Sequence, residues 1–125
     1  MFRPRIFRRG VSKNKGQRSE ELAACFLKKK GYKIVDRNFR KRYGEVDIIA
    51  EKNNTLVFVE VRSLTGDFMD PLESITPQKI ERISKTAAAY LMEMDWNGDV
   101  RFDFIGIKGE GKDRVIEHFE NFFGF

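Results

Sequence analysis

The chain has 125 residues, and its 34% charged and 41% apolar composition is typical of one compact domain with a heavily charged surface. A single cysteine excludes an intrachain disulfide, and with a single histidine it cannot complete a structural zinc site. The sequence contains no run of about 18 apolar residues and no apolar secretory segment near its start. We therefore expect a cytoplasmic protein with no membrane contact.

Positive charge is concentrated at the amino terminus. The net charge is +5, yet the first fifteen positions hold six basic residues and no acid: Arg3, Arg5, Arg8, Arg9, Lys13 and Lys15. We predict a flexible basic arm over residues 1–15 and one folded domain over residues 16–125. Such an arm suits contacts to nucleic-acid phosphates, because counterion release supplies sequence-independent affinity. A merely solvated terminus is an equally good interpretation.

Apolar spacing predicts a first helix that ends near Lys30. Its apolar side consists of residues at helical spacing, namely Leu22, Ala23, Phe26 and Leu27. Ser12 or Asn14 is the expected N-cap. Gly31 is the expected stop, because glycine accepts the left-handed conformation that closes a helix. The residues that follow predict a first strand over 32–39.

A basic segment leads from this strand to the next one. It contains Arg37, Arg40, Lys41 and Arg42. These side chains are candidates for holding nucleic-acid phosphates. A solvated basic surface is an equally good interpretation of the same residues.

Residues 44–62 predict a β-hairpin with Asn53 and Asn54 as its two-residue turn, since asparagine tolerates the positive φ that such a turn requires. This turn fixes a register in which Asp47 lies opposite Glu60. One face of the hairpin is then charged and carries Glu45, Asp47, Glu60 and Arg62. The other face is apolar and carries Val46, Ile48, Val59 and Val61.

The remaining chain predicts one helix and two strands. Residues 63–75 have a loop composition, and Thr76 followed by Pro77 is a typical helix start. Its expected buried face consists of Ile80, Ile83, Ala87, Tyr90 or Leu91, and Met94. Alternating apolar residues predict strands over 100–104 and 115–119, followed by a phenylalanine-rich tail. The order α-β-β-β-α-β(-β) predicts an α/β domain in which helices flank a mixed sheet.

Asp47 and Glu60 are the strongest functional candidates, because apolar strands rarely carry carboxylates in mid-strand. Burying an unpaired carboxylate is unfavourable by several kcal/mol, and two facing carboxylates also repel each other. A Mg²⁺ or Mn²⁺ ion would relieve both penalties, with the backbone carbonyl of Val61 as a third ligand. The alternative is structural: Glu60 pairs with Arg62 or another base, and Asp47 caps a turn or reaches solvent.

Several segments together carry a family resemblance. They are Gly-Gln-Arg-Ser-Glu at 16–20, Gly-Glu-Val-Asp-Ile-Ile-Ala at 44–50, Phe-Val-Glu-Val-Arg at 58–62, Thr-Pro-Gln-Lys at 76–79 and Arg-Phe-Asp at 101–103. In this order they resemble the YraN-type family of small, poorly characterised bacterial proteins, predicted nucleases similar to archaeal Holliday-junction resolvases. The resemblance extends from about Gly16 to the carboxyl terminus.

This resemblance implies a restriction-endonuclease-like fold whose active site is an Asp, a spacer and then Glu-x-Lys. Asp47 and Glu60 would be the ligands of a Mg²⁺ or Mn²⁺ ion, and Glu20 an additional ligand or a residue that holds water. Gln78 and Lys79 would support the site near the scissile phosphate. The resemblance thus assigns roles to residues on both predicted helices.

Position 62 departs from that nuclease pattern, which expects lysine where this chain has Arg62. An arginine stays charged and stabilises negative charge in a transition state, but it does not act as a base. Lys79 is a candidate to replace the missing ammonium group. The departure bears on catalysis more than on binding of metal or nucleic acid.

The predicted function is metal-dependent hydrolysis of phosphodiester bonds in branched or structured DNA. A homodimer is expected, since resolvases of branched DNA act as two-fold dimers. One alternative is a non-catalytic nucleic-acid-binding protein, which Arg62 favours. Another is a protein-interaction subunit that uses the aromatic tail, although core closure is the favoured interpretation of Phe119, Phe122, Phe123 and Phe125. His118 is expected at the surface or at a strand edge.

Overall fold

The computed structural model describes residues 15–64 and 74–123. Its elements are α1 (Lys15–Lys29), β1 (Lys33–Lys41), β2 (Gly44–Lys52), β3 (Thr55–Leu64), α2 (Pro77–Met94), β4 (Asp99–Lys108), a 3₁₀ turn (Gly111–Asp113) and β5 (Val115–Phe123). This order confirms the predicted α/β arrangement. The candidate caps Ser12 and Asn14, nearly all of the predicted basic arm and most of the predicted loop after β3 lie outside the described residues.

The five strands form one mixed sheet in the order β1-β2-β3-β4-β5. β3 and β4 are parallel, and the other neighbouring pairs are antiparallel. α2 lies between β3 and β4 in the chain and supplies the long crossover that a parallel pair requires. Neither helix in the described part of the chain is long and apolar enough to cross a membrane.

The turn between β2 and β3 is the one predicted from Asn53 and Asn54. Both residues have positive φ, 52° and 60°, as a primed two-residue turn demands. The strands pair from Lys52 opposite Thr55 to Ile48 opposite Val59. The predicted hairpin register is therefore confirmed over that stretch.

The apolar side chains form two clusters, one beneath each helix. The cluster beneath α1 includes Ala23, Leu27, Ile48, Val59, Val61 and Ile105. The cluster beneath α2 includes Val46, Ile49, Phe58, Ile83, Tyr90 and Phe102. The prediction that Val46 shares a face with Ile48 is therefore wrong. Side-chain alternation along β2 is interrupted between these two residues, at Asp47.

The side chain of Thr76 caps α2, which carries two of the candidate site residues in its first turn. Thr76 Oγ1 accepts a hydrogen bond of 3.1 Å from the backbone N–H of Lys79, and Pro77 occupies the first helical position. Both features confirm the predicted helix start.

We expect Thr76→Ala to lower the free energy of unfolding by about 1 kcal/mol, because an orphan N–H loses its acceptor. Thr76→Ser is the matched control, since it keeps the hydroxyl. Urea denaturation of the two variants measures the difference. Equal loss in both would show that the hydroxyl contributes nothing.

The phenylalanine-rich carboxyl end continues β5 and packs on the sheet. The ring of Phe122 lies 5.2 Å from that of Phe104, and Phe123 stacks on Phe102 at 4.7 Å. Phe119 makes an edge contact with Phe104 at 6.0 Å. For these three rings the favoured interpretation, core closure, agrees with the structure. Phe125 lies outside the described residues.

Candidate active site

Asp47 and Glu60 are buried together where β2 and β3 separate. Only 9% of Asp47 and 4% of Glu60 is exposed. Glu60 extends from the middle of β3, between two buried valines, and the carboxyl groups of Asp47 and Glu60 lie within hydrogen-bonding reach of each other. The structure therefore brings together the two carboxylates that the hairpin register predicted to be neighbours.

A side chain replaces a backbone group at this point of the sheet. In a hairpin closed by a two-residue turn, alternate facing pairs exchange backbone hydrogen bonds, and Val46 and Val61 form one such pair. The N–H of Val61 would therefore normally donate to the carbonyl of Val46. It donates instead to Asp47 Oδ2, at 2.8 Å. The N–H and C=O of one strand residue point to the same side, so the Val61 carbonyl is directed towards the Asp47 side as well. The Asp47 carboxylate and the Val61 carbonyl thus lie on the same side of β3.

The electrostatic environment of Asp47 opposes its ionised form. Burial is the main cause that raises its pKa well above the usual range, and the neighbouring Glu60 raises it further. The charge of Glu20 adds to the effect, and the N–H of Val61 only partly offsets it. A cation placed at this carboxyl would remove the main source of instability.

Two basic side chains flank Glu60. Arg62 Nε donates to Glu60 Oε2 at 3.1 Å, and Lys79 Nζ lies 3.4 Å from the same oxygen. The structural alternative for Glu60, pairing with Arg62, is therefore present. Glu45, which the predicted hairpin placed on the same face as Arg62, forms its ion pair with Arg40 across the β1–β2 turn instead.

Glu20 lies on α1 near the site but is held by another partner. Its carboxylate accepts a hydrogen bond of 2.8 Å from Asn38 Nδ2. Burial raises the pKa of Glu20, the Asn38 bond lowers it, and the negative charges of Glu45 and Glu60 raise it. Within residues 15–64 and 74–123, no three acidic, histidine or cysteine side chains form a ready-made metal cluster.

The donor set at Asp47 and Glu60 still fits a hard divalent cation. Mg²⁺ keeps several waters and is commonly bound through only one or two carboxylates, with substrate phosphates completing its shell. An aspartate whose pKa is raised first by burial and then by an adjacent glutamate is the environment that such an ion would stabilise. In this arrangement Asp47, Glu60 and the Val61 carbonyl would hold the ion, and Glu20 would act from a distance.

A groove of about 610 Å³ opens beside the carboxylate pair, between the β1–β2 turn and the first half of α2. Most of the predicted phosphate-binding and supporting residues line it: Arg40, Lys41, Arg42, Gln78 and Lys79. Arg37 is not among its lining residues. It lies on β1 and acts electrostatically on Glu20 instead.

Sequence reasoning missed a second buried charge cluster, centred on Asp103 and fully shielded from solvent. Asp103 accepts hydrogen bonds from Arg101 Nε and Nη2, both at 2.8 Å, and from the backbone N–H of Asn121 at 2.9 Å. His118 Nε2 lies 2.7 Å from it, and His118 Nδ1 lies 2.7 Å from Lys30 Nζ.

Lysine only donates, so Nδ1 of His118 accepts from Lys30 and Nε2–H donates to Asp103. His118 does lie on an edge strand, as expected, but its side chain is only 3% exposed. The alternation of Arg101, Phe102 and Asp103 on a strand was the only sequence signal for this cluster. No spacing rule connects those residues to His118.

Comparison with known proteins gives a consistent family match. The model of the uncharacterised protein family UPF0102 matches residues 19–107. A UPF0102 protein of Thermotoga maritima is 47% identical over 102 residues, which cover 82% of this chain and 90% of the relative. The relative from Persephonella marina is 47% identical over 112 residues, covering 87% and 92%. The relative from Syntrophomonas wolfei is 41% identical over 115 residues, covering 90% and 100%.

Proposed function

The chain belongs to the uncharacterised protein family UPF0102, and from that premise we propose that it is a metal-dependent endonuclease acting on branched or structured DNA. The observation that supports this proposal is the buried pair Asp47 and Glu60, flanked by Arg62 and by Lys79, and Lys79 also lines a basic groove. The resemblance to nucleases with a restriction-endonuclease-like fold points to the same residues.

Asp47, Glu60 and the Val61 carbonyl would hold Mg²⁺ or Mn²⁺. When bound, the ion supplies a water of lowered pKa and polarises the scissile phosphate. The chain's own groups orient the phosphate and stabilise the negative charge that develops on it. The ion pairs of Arg62 and Lys79 with Glu60 support this role, because both side chains would then lie beside a phosphate that approaches Glu60.

The proposal is tested by cleavage of an end-labelled branched DNA in Mg²⁺ or Mn²⁺. We expect the wild type to cleave it and Glu60→Gln to lose cleavage, since the amide removes a charge from the ligand set. Glu51→Gln is the matched control, because Glu51 lies on β2 away from the site, opposite Leu56. No cleavage of branched, single-stranded or duplex DNA by the wild type in either metal would overturn the proposal.

Arg62 favours a second candidate function, a nucleic-acid-binding protein without catalysis. The two functions differ in what substitution at position 62 does. For a nuclease we expect Arg62→Ala to lower the cleavage rate by about 100-fold or more, because one transition-state donor is removed. Arg62→Lys restores the usual nuclease residue and should retain at least about a tenth of the rate. A chain that binds DNA but yields no product in any of the three forms has the second function.

A further inference from the structure

The groove between the β1–β2 turn and α2 is built by close approach of the two elements. An added Cβ at Gly44 would lie 2.7 Å from Thr86 Oγ1 and 2.9 Å from the carbonyl oxygen of Arg82, so the strand start fits against the helix only as glycine. Lys79 lines the groove, and its ammonium group lies 3.4 Å from Glu60. Lys79 therefore joins the groove to Glu60, one of the two buried carboxylates.

The groove is strongly basic. Six of its lining side chains are basic and two are acidic, the latter being Glu45 and Glu81. Arg40 and Lys85 are paired with these two acids, respectively. Among the described residues, Arg42 and Arg82 have no acidic partner. Two arginines without an internal counter-ion make this surface suited to an anionic polymer.

The groove also carries an exposed aromatic ring. Tyr43 is 44% exposed and is the only exposed aromatic side chain in the part of the chain that the structure describes. It lies in the two-residue connection between Lys41 and Gly44, next to Arg42. Basic grooves that present an aromatic ring are the usual means of binding single-stranded nucleic acid, because the ring stacks on a base while the cations follow the phosphates.

We propose that this groove binds a single strand of nucleic acid, with Tyr43 stacked on an unpaired base and Arg42 and Arg82 on its phosphates. The volume of about 610 Å³ lies in the range of pockets for drug-sized ligands, so the groove has room for one or two nucleotides of a strand. The proposal adds a substrate preference to the endonuclease function, and the following consequence rests on that function. The bond presented to Asp47 and Glu60 would belong to a strand that is unpaired next to the cut.

Binding of labelled 12-mers to the full chain in EDTA tests the proposal without any cleavage. The probes are dT12, U12 and a 12-base-pair DNA duplex, measured by fluorescence anisotropy at several salt concentrations. We expect Tyr43→Ala to weaken single-strand binding by about tenfold, while Tyr43→Phe retains it. Met92→Ala, which removes another exposed apolar side chain, should have no effect. Whichever of dT12 and U12 binds more tightly identifies the polymer.

The contribution of the arginines is measured by the salt dependence of binding. The plot of log affinity against log salt concentration has a negative slope. If Arg82 contacts a phosphate, Arg82→Gln should make this slope less steep by about 0.7 for a single strand. The proposal is overturned if neither single strand binds, if Tyr43→Ala leaves their affinity unchanged, or if a poly-glutamate peptide binds equally well. If DNA is cleaved but neither binding nor cleavage depends on Tyr43, single-strand binding in the groove is refuted and the nuclease function stands. Tyr43-dependent binding with no cleavage in Mg²⁺ or Mn²⁺ would refute the nuclease function alone.

Discussion

Asp47→Asn is expected to make the metal-free protein more stable at neutral pH, by about 1 to 2 kcal/mol, while removing the metal binding that we propose. The ionised carboxylate is destabilised first by burial and then by Glu60, and the amide carries no charge to repel. The amide oxygen retains an acceptor for the N–H of Val61, and its NH₂ group donates to Glu60. We therefore expect stability to rise where the proposed metal ligand is lost.

The pH dependence of this gain has a definite sign. The pKa of Asp47 is raised in the folded state, so its contribution is fully favourable below the ordinary value of 3.8 and is lost as pH rises through the folded pKa. The asparagine variant should match the wild type in acid and exceed it at neutral pH. Urea denaturation in EDTA from pH 4 to pH 8 measures the difference. A variant less stable than the wild type at every pH would contradict this account of the site.

Asp103→Asn is expected to have a large effect of the opposite sign, a loss of about 3 kcal/mol in the free energy of unfolding at neutral pH. Removing one partner of a buried ion pair leaves the other uncompensated, and Asp103 is wholly buried against Arg101 and His118. Thermal denaturation should show a midpoint lower by roughly 10 °C.

Glu120→Gln is the matched control, because Glu120 pairs with the same arginine at 3.2 Å but is 54% exposed. Its loss should stay below about 1 kcal/mol. Burial alone would raise the pKa of Asp103, but the hydrogen bonds from His118, Arg101 and Asn121 together hold it below the usual range. Its stabilisation is thus present above the ordinary value of 3.8 and is lost as pH falls through the folded pKa. Equal stability of Asp103→Asn and Glu120→Gln would show that the cluster contributes little.

Asp47 and Asp103 differ in their partners, and this difference separates a structural carboxylate from a candidate ligand. Asp103 has an arginine, a histidine and a backbone N–H as donors. Asp47 has one backbone donor and a carboxyl neighbour. A protein gains no stability from the second arrangement by itself. Its presence in the interior is explained by a cation that binds there, as we propose.

Local rules were enough to predict the parts of the fold that depend on neighbouring residues. The Asn53-Asn54 turn follows from tolerance of positive φ, and it fixed the register that pairs Ile48 with Val59. The start of α2 at Pro77 follows from the hydroxyl of Thr76. Each of these features is decided within a few residues of chain, where chemistry and spacing are visible together.

Features that depend on distant packing could not be predicted in this way. The sheet face predicted for Val46 was wrong, because strict side-chain alternation assumes an unbroken backbone ladder. At this point the Asp47 side chain accepts the hydrogen bond that a backbone carbonyl would otherwise accept. The burial of His118 depends on Phe26 and Tyr32, whose rings pack edge-on against it from a distant part of the chain. The exposure of Tyr43 depends on how the β1–β2 turn lies against α2, and turn composition does not determine that arrangement.

Calorimetric titration of Mn²⁺ into the metal-free protein measures whether Asp47 and Glu60 form a metal centre. We expect the wild type to bind one ion, and Asp99→Asn to bind it equally well, because Asp99 is exposed at the start of β4. Asp47→Asn should show no measurable binding although it remains folded. Binding that is absent in the wild type, or unchanged in Asp47→Asn, would contradict the assignment of a metal centre to Asp47 and Glu60.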